Sequence, residues 1–208
     1  MRVRNLFAVA LAAGAFLGCS DSNSISPGEG RIAVRLTDAP FPIDEVESIE
    51  VFIVRVEAKL QPTSDEDAAL DIEDEEASTD GWIVLATPNA LFDLMDLRNG
   101  VTVFLGDEDV PVGDYRSIRL ILDTDQSSIT LKDNTVLTGI SDPSIKWPSA
   151  GRSGIKVLFD RPIEVDEGLT TDVLLDFDAE QSFVLRGNTI LQNGLLFKPV
   201  IKATVMDE

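Results

Sequence analysis

Two short stretches place acids at a spacing that could do chemistry: Leu122-Asp123-Thr124-Asp125 and Leu175-Asp176-Phe177-Asp178, each followed closely by Gln-Ser (Gln126-Ser127 and Gln181-Ser182). Residues two apart on a strand share a face, so each pair aims both carboxylates the same way. If the two strand ends adjoin, four carboxylates meet, and a hard ion such as calcium takes about six to eight oxygens. A calcium site on Asp123, Asp125, Asp176 and Asp178 is therefore the metal site these residue types suggest, and apart from such an ion no cofactor is expected. The plainer reading is that strands end in Asp where the chain reaches water. Paired carboxylates also serve glycoside hydrolysis, which needs a cleft and one carboxyl of raised pKa; nothing in the sequence signals a cleft. Asp38, in Thr37-Asp38-Ala39-Pro40, is expected to cap the turn that ends a strand, because Asp bonds local backbone and a residue before Pro stays extended.

The exclusions are firmer. The chain has no histidine, which removes Ser-His-Asp triads, Cys-His pairs, His-ligated zinc and His general bases. Its single cysteine is Cys19, which cannot form a disulfide within the chain. Catalysis would have to rest on carboxylates, Lys, Tyr, Ser or a hard metal ion, and no catalytic residue is expected.

Cys19 has a different use. Met1-Arg2-Val3-Arg4-Asn5 is a short positive region, followed by the uncharged run Leu6 to Leu17. That is the pattern of an export signal, and it is shorter than the roughly 20 apolar residues of a spanning helix. Ala15-Phe16-Leu17-Gly18-Cys19 resembles a bacterial lipobox, with Phe16 where that motif usually has Leu. The resemblance implies cleavage after Gly18, a diacylglycerol on the Cys19 sulfur and acylation, typically by palmitate, of the new amino terminus. Several acyl chains give stable anchoring where one does not. Residues 19–30 then read as a lipidated Ser/Gly-rich tether, and the localisation as the cell envelope, at the outer membrane, through lipid on Cys19.

Charge narrows the partners. The chain carries 17 basic and 37 acidic residues. With Arg2 and Arg4 removed, the mature chain keeps 15 basic residues against 37 acidic ones, a formal charge of −22. Such a surface repels phosphate backbones, so no nucleic acid partner is expected, and a protein or glycan partner remains open. Gln61 to Asp80 alone holds nine acids and no Lys or Arg, and reads as a solvated hairpin insert between two strands, the functional alternative being a cation-binding or partner-binding lobe.

The elements that must position these residues follow a period of two. Arg31 to Thr37 puts Ile32, Val34 and Leu36 on one face. Ser48 to Leu60 starts with Ile49, Val51 and Ile53 on one face and shifts to Phe52, Val54 and Val56, which calls for a bulge or a passage between two buried faces. Gly81 to Leu85, Val101 to Leu105, Tyr115 to Asp123, Ser128 to Leu131, Ile155 to Phe159, Thr170 to Asp178 and Leu195 to Val205 also read as strands. Turn signals at Asp133-Asn134, Asp142-Pro143, Gly187-Asn188 and Asn193-Gly194 separate them. Leu91 to Arg98 fits a short helical turn or a strand. Trp82 and Trp147 read as core or rim aromatics, with Trp147, between Lys146 and Pro148, the more exposed. The best architecture is a single β-sandwich domain over residues 31–206, Greek-key and transthyretin-like or immunoglobulin-like, after a signal peptide at 1–18.

Several patches together resemble one family: Gly30 to Pro40, Ser48 to Glu57, Gly81-Trp82, Phe92-Asp93-Leu94 to Gly100, Val110 to Leu120, Leu175 to Ala179 and Lys198 to Ile201. In this order they resemble domain of unknown function 4382, over nearly all of Gly30 to Val205. The resemblance implies an exported protein or prokaryotic lipoprotein and brings no catalytic residues. Pro111-Val112-Gly113-Asp114-Tyr115 looks like the strand entry of transthyretin-like sandwiches, with Tyr115 packing its ring and bonding nearby backbone through its hydroxyl. Together these features lead to a lipid-anchored, non-enzymatic envelope module for binding, adhesion or assembly. The alternative is a carboxylate- or metal-dependent extracytoplasmic hydrolase.

Overall fold

The structure, a computed structural model, describes residues 25–38, 45–61, 81–148 and 153–206. The signal peptide, Cys19, most of the tether and nearly all of the acidic insert lie outside the described residues.

Two sheets enclose the core. The first is built on β1 (Glu29–Asp38), which pairs in parallel with β10 (Thr170–Phe177) and antiparallel with β5 (Val103–Pro111). β13 (Ile201–Val205) adds antiparallel to β10, giving the order β13-β10-β1-β5. Ile32, Val34 and Leu36, the face expected from the sequence, are all buried. The second sheet is built on two long antiparallel strands, β2 (Val46–Leu60) and β6 (Gly113–Leu131). β3 (Trp82–Ala86) and β4 (Ala90–Asp93) pair along the other edge of β2, while β7 (Val136–Leu137) and β9 (Ile155–Val165) pair along the other edge of β6. The stretches read as two strands, Tyr115 to Asp123 and Ser128 to Leu131, are one strand in β6.

The phase change in β2 is a bulge. Ile53 pairs with Leu122 and Arg55 with Ile121, so Val54 is an extra residue on one strand. Before it Ile49, Val51 and Ile53 are buried; after it Val56 and Ala58 take over on the core side. Arg55, Glu57 and Lys59 are thereby set on the opposite face. The ambiguous stretch Leu91 to Arg98 is both things in succession. β4 ends at Asp93, whose carboxylate accepts the Met95 N–H and starts a 3-10 turn at Leu94–Leu97, while also accepting the Ile49 N–H from β2.

The sheets close along one flank where β5 passes β3. A Cβ on Gly106, at φ 146°, would stand 2.7 Å from the Ala86 Cβ, so this approach requires glycine. Beyond the end of β10 a small third sheet forms from β11 (Phe183–Leu185), β12 (Leu195–Phe197) and β8 (Ile145–Lys146). Its core is aromatic. Trp147 lies 4.7 Å from the Phe197 ring and 5.8 Å from Phe183, and Phe197 also packs near Phe177. The expected exposure of Trp147 is thus not found: flanking Lys and Pro say nothing about which rings the chain later brings against it.

Candidate functional site: a basic and aromatic sheet face

The outer face of the second sheet gathers a group of charges with defined partners. Its origin is strand register. Glu57 pairs with Arg119, and Arg119 with Lys156; Lys59 pairs with Trp82 on one side and Ser117 on the other. Paired residues on neighbouring strands point to the same face, so β3, β2, β6 and β9 deliver Trp82, Lys59, Glu57, Arg119 and Lys156 to one side. Gly154 admits this arrangement at the entry to β9, because a Cβ there would meet the Arg119 stem at 2.9 Å and the Ile121 side chain at 2.4 Å.

Glu57 is 1% exposed and Arg119 7%, and they form a 2.6 Å ion pair. The Arg55 Nε donates to the other Glu57 oxygen at 2.7 Å. A buried carboxylate persists only when its lone pairs are engaged, and here two guanidinium groups engage both oxygens. Trp82 packs against the pair, with the Arg119 guanidinium carbon 4.3 Å from its ring centre, close enough for cation–π attraction. The Lys59 and Lys156 ammonium groups lie 5.9 and 5.8 Å from the same ring. Four cationic side chains therefore surround one aromatic ring and one carboxylate. Leu158, paired with Ser117, is 67% exposed beside them, and Val84 is 43% exposed.

Sequence reasoning noticed Trp82 and missed its companions. Arg55-Val56-Glu57-Ala58-Lys59 alternates charged and apolar residues, which on one strand reads as an ordinary solvent-facing side. Only the lateral order of strands shows that the same side receives Arg119, Lys156 and Trp82.

The four aspartates proposed for calcium are divided between the sheets. Asp123 and Asp125 belong to β6, Asp176 to β10, and Asp178 follows its end. The Asp123 carboxylate accepts the Gln126 side-chain amide and the backbone N–H groups of Asp125 and Gln126; in that order of cause, the amide first, its pKa is held below the usual range. Asp178 accepts the Gln181 N–H and side-chain amide and caps the short helix Ala179–Ser182. The two Asp…Gln-Ser stretches are thus alike because both build a local turn closed by Gln. Among the described residues no group of three or more acids is arranged to hold a metal ion.

One Asp38 carboxylate oxygen accepts the Ala179 N–H at 3.0 Å, so it helps cap a helix that is distant in sequence; the turn it was expected to cap, at Ala39-Pro40, lies outside the described residues. The other oxygen is buried without a hydrogen-bond partner. Burial pushes this carboxyl up to about 7; the Ala179 N–H opposes that, Asp176 and Asp178 add to it, and Arg98 lowers it. Tyr115 is buried, and its hydroxyl donates to the Pro111 carbonyl at 2.8 Å, which is the structural role expected of it. Burial raises its pKa to about 12.

A family model described as a domain of unknown function, DUF4382, matches residues 29–199. No curated protein and no solved structure matches the chain.

Proposed function

The chain belongs to the DUF4382 family, a domain of unknown function, and from that premise we propose that it is a lipid-anchored binding module of the cell envelope. In this reading residues 1–18 are removed, Cys19 carries the lipid, and residues 19–30 tether the sandwich to the membrane. The observation that supports a binding role is the basic and aromatic face around Trp82. It presents cations and apolar surface on four adjoining strands. Sites on strands hold their geometry better than sites on loops.

One observation favours the hydrolase alternative: Asp38 has a raised pKa beside two further carboxylates, as a general acid does. At 3% exposure it is poorly placed to reach a substrate, and the binding role is the better supported reading.

The anchor is tested by replacing Cys19 with Ala. The variant is expected to lose incorporation of labelled palmitate and to leave the membrane fraction, either soluble or as an uncleaved precursor. Labelling and fractionation equal to the unsubstituted protein would overturn the lipid-anchored reading.

A further inference from the structure

Asp38 stands at the junction between the sandwich and the small third sheet. Its Oδ1 accepts the Ala179 N–H at 3.0 Å, which ties the end of β1 to the short helix Ala179–Ser182. That helix runs directly into β11, an edge of the third sheet. The chain returns from β12 past the same helix. There the Lys198 N–H donates to the Ser182 carbonyl at 2.7 Å, the Val200 N–H to the Ser182 Oγ at 2.8 Å, and the Asp178 N–H to the Val200 carbonyl at 2.9 Å. The Asp38 Oδ2 is buried at this junction without a hydrogen-bond partner, a position that a neutral carboxyl tolerates far better than a carboxylate. Burial comes first in raising its pKa; the Ala179 N–H opposes it, Asp176 of β10 and Asp178 at the start of the helix add to it, and Arg98, after the 3-10 turn, lowers it. The Arg98 Nε is already given to the Met95 carbonyl at 2.7 Å. Glu180 of the helix and Asp96 of the 3-10 turn are exposed. The chain has no histidine, the side chain that ordinarily changes charge near neutral pH, and Asp38 stands in that place.

We propose that Asp38 is a proton-operated latch: protonated, it keeps the short helix and the third sheet seated on the end of the sandwich, and ionised, it loosens them. The latch is independent of the binding role and of the lipid anchor. Its direction follows from linkage. In the seated state the carboxyl holds its proton up to about pH 7, whereas in an opened state it reaches water and releases the proton near the ordinary carboxylate value of about 4. Opening therefore becomes more favourable by roughly tenfold for each pH unit between about 4 and 7, and levels off above that, where both states are ionised. Loosening of this kind is a local opening rather than unfolding of the domain. It uncovers the rings of Trp147, Phe183 and Phe197, which pack on one another in the core of the third sheet.

The test is amide hydrogen exchange of the full chain, purified in detergent with EDTA, with rates corrected for the intrinsic effect of pH. The segments Ala179–Leu185 and Leu195–Val200 should lose protection by about tenfold or more between pH 5 and 7, and by no more between pH 7 and 8.5. At every pH they should stay less protected than Val56 and Ile118, in the β2–β6 ladder, because the latch opens without the domain unfolding. Asp38→Asn cannot ionise and should make the protection of both segments independent of pH. Asp176→Asn removes one repelling charge and should move the levelling-off to lower pH, which keeps the test decisive should Asp38→Asn fail to fold. Equal protection at pH 5 and 7, or a loss that persists unchanged in Asp38→Asn, would overturn the proposal. So would a levelling-off unmoved by Asp176→Asn, or protection of the two segments equal to that of Val56 and Ile118, which would mean that only the whole domain opens.

Discussion

At the scale of single residues, Asp38 has one oxygen bonded to the Ala179 N–H and one buried without a partner. An unsatisfied buried polar group costs about 1–3 kcal/mol. Its folded-state pKa of about 7 lies above the ordinary carboxylate value. Between roughly pH 4 and 7 the folded protein then holds a proton that the unfolded chain has released, so stability from this group falls as pH rises across that window and levels off above it. Asp38→Asn keeps an oxygen for Ala179 and puts a neutral donor in place of the idle oxygen. The variant is expected to be more stable than the parent at pH 8 by about 1–3 kcal/mol, with the gap narrowing toward pH 5. Chemical denaturation at pH 5, 6.5 and 8 measures this, and an equal gap at all three values would show that Asp38 does not titrate there.

At the scale of elements, β2 shows how a single extra residue decides two faces at once. Val54 is unpaired in the ladder, and on either side of it the strand keeps core residues inward only because the bulge resets the alternation. Deleting Val54 joins Ile53 to Arg55, whose partners Leu122 and Ile121 are already adjacent. Every later residue then keeps its face. Deleting Glu57 instead would turn Ala58 outward and Lys59 toward the core, because a one-residue slip flips every side chain. The first deletion is expected to preserve cooperative thermal unfolding and the second to abolish it; the reverse outcome would mean that the bulge, not the alternation, holds the sheet. The contrast also explains what could be read beforehand. Ile32, Val34 and Leu36, the β2 phase change and the Tyr115 hydroxyl were legible because period two and local turn chemistry are properties of contiguous residues. The Trp82 cluster, the β1–β10 pairing and the bond from Ala179 to Asp38 were not, because each depends on which strands become neighbours. Asp123 and Asp178 show the converse: their resemblance was visible in the sequence, but it reflects a shared turn.

At the scale of the whole molecule, charge and connectivity dominate. A formal charge of −20 on 208 residues sets carboxylates against one another across the surface, and such self-repulsion weakens as salt shortens its range. Raising sodium chloride from 10 mM to 0.5 M should therefore stabilise the protein by roughly 1 kcal/mol, which for a domain of this size raises Tm by about 2–4 °C. A fall in Tm would show that ion pairs such as Glu57–Arg119 outweigh the general repulsion. Connectivity acts on a different axis, that of time. β1 lies between β10 and β5, and the bond from Ala179 to Asp38 links residues 141 positions apart. Chains are made from the amino terminus at about 5–20 residues per second, so one edge of β1 waits on the order of 10 seconds for its parallel partner. The strand laid down first thus spends most of synthesis with one edge uncovered, and its open row of N–H and C=O groups is a place where a newly made chain is exposed to pairing with a neighbour.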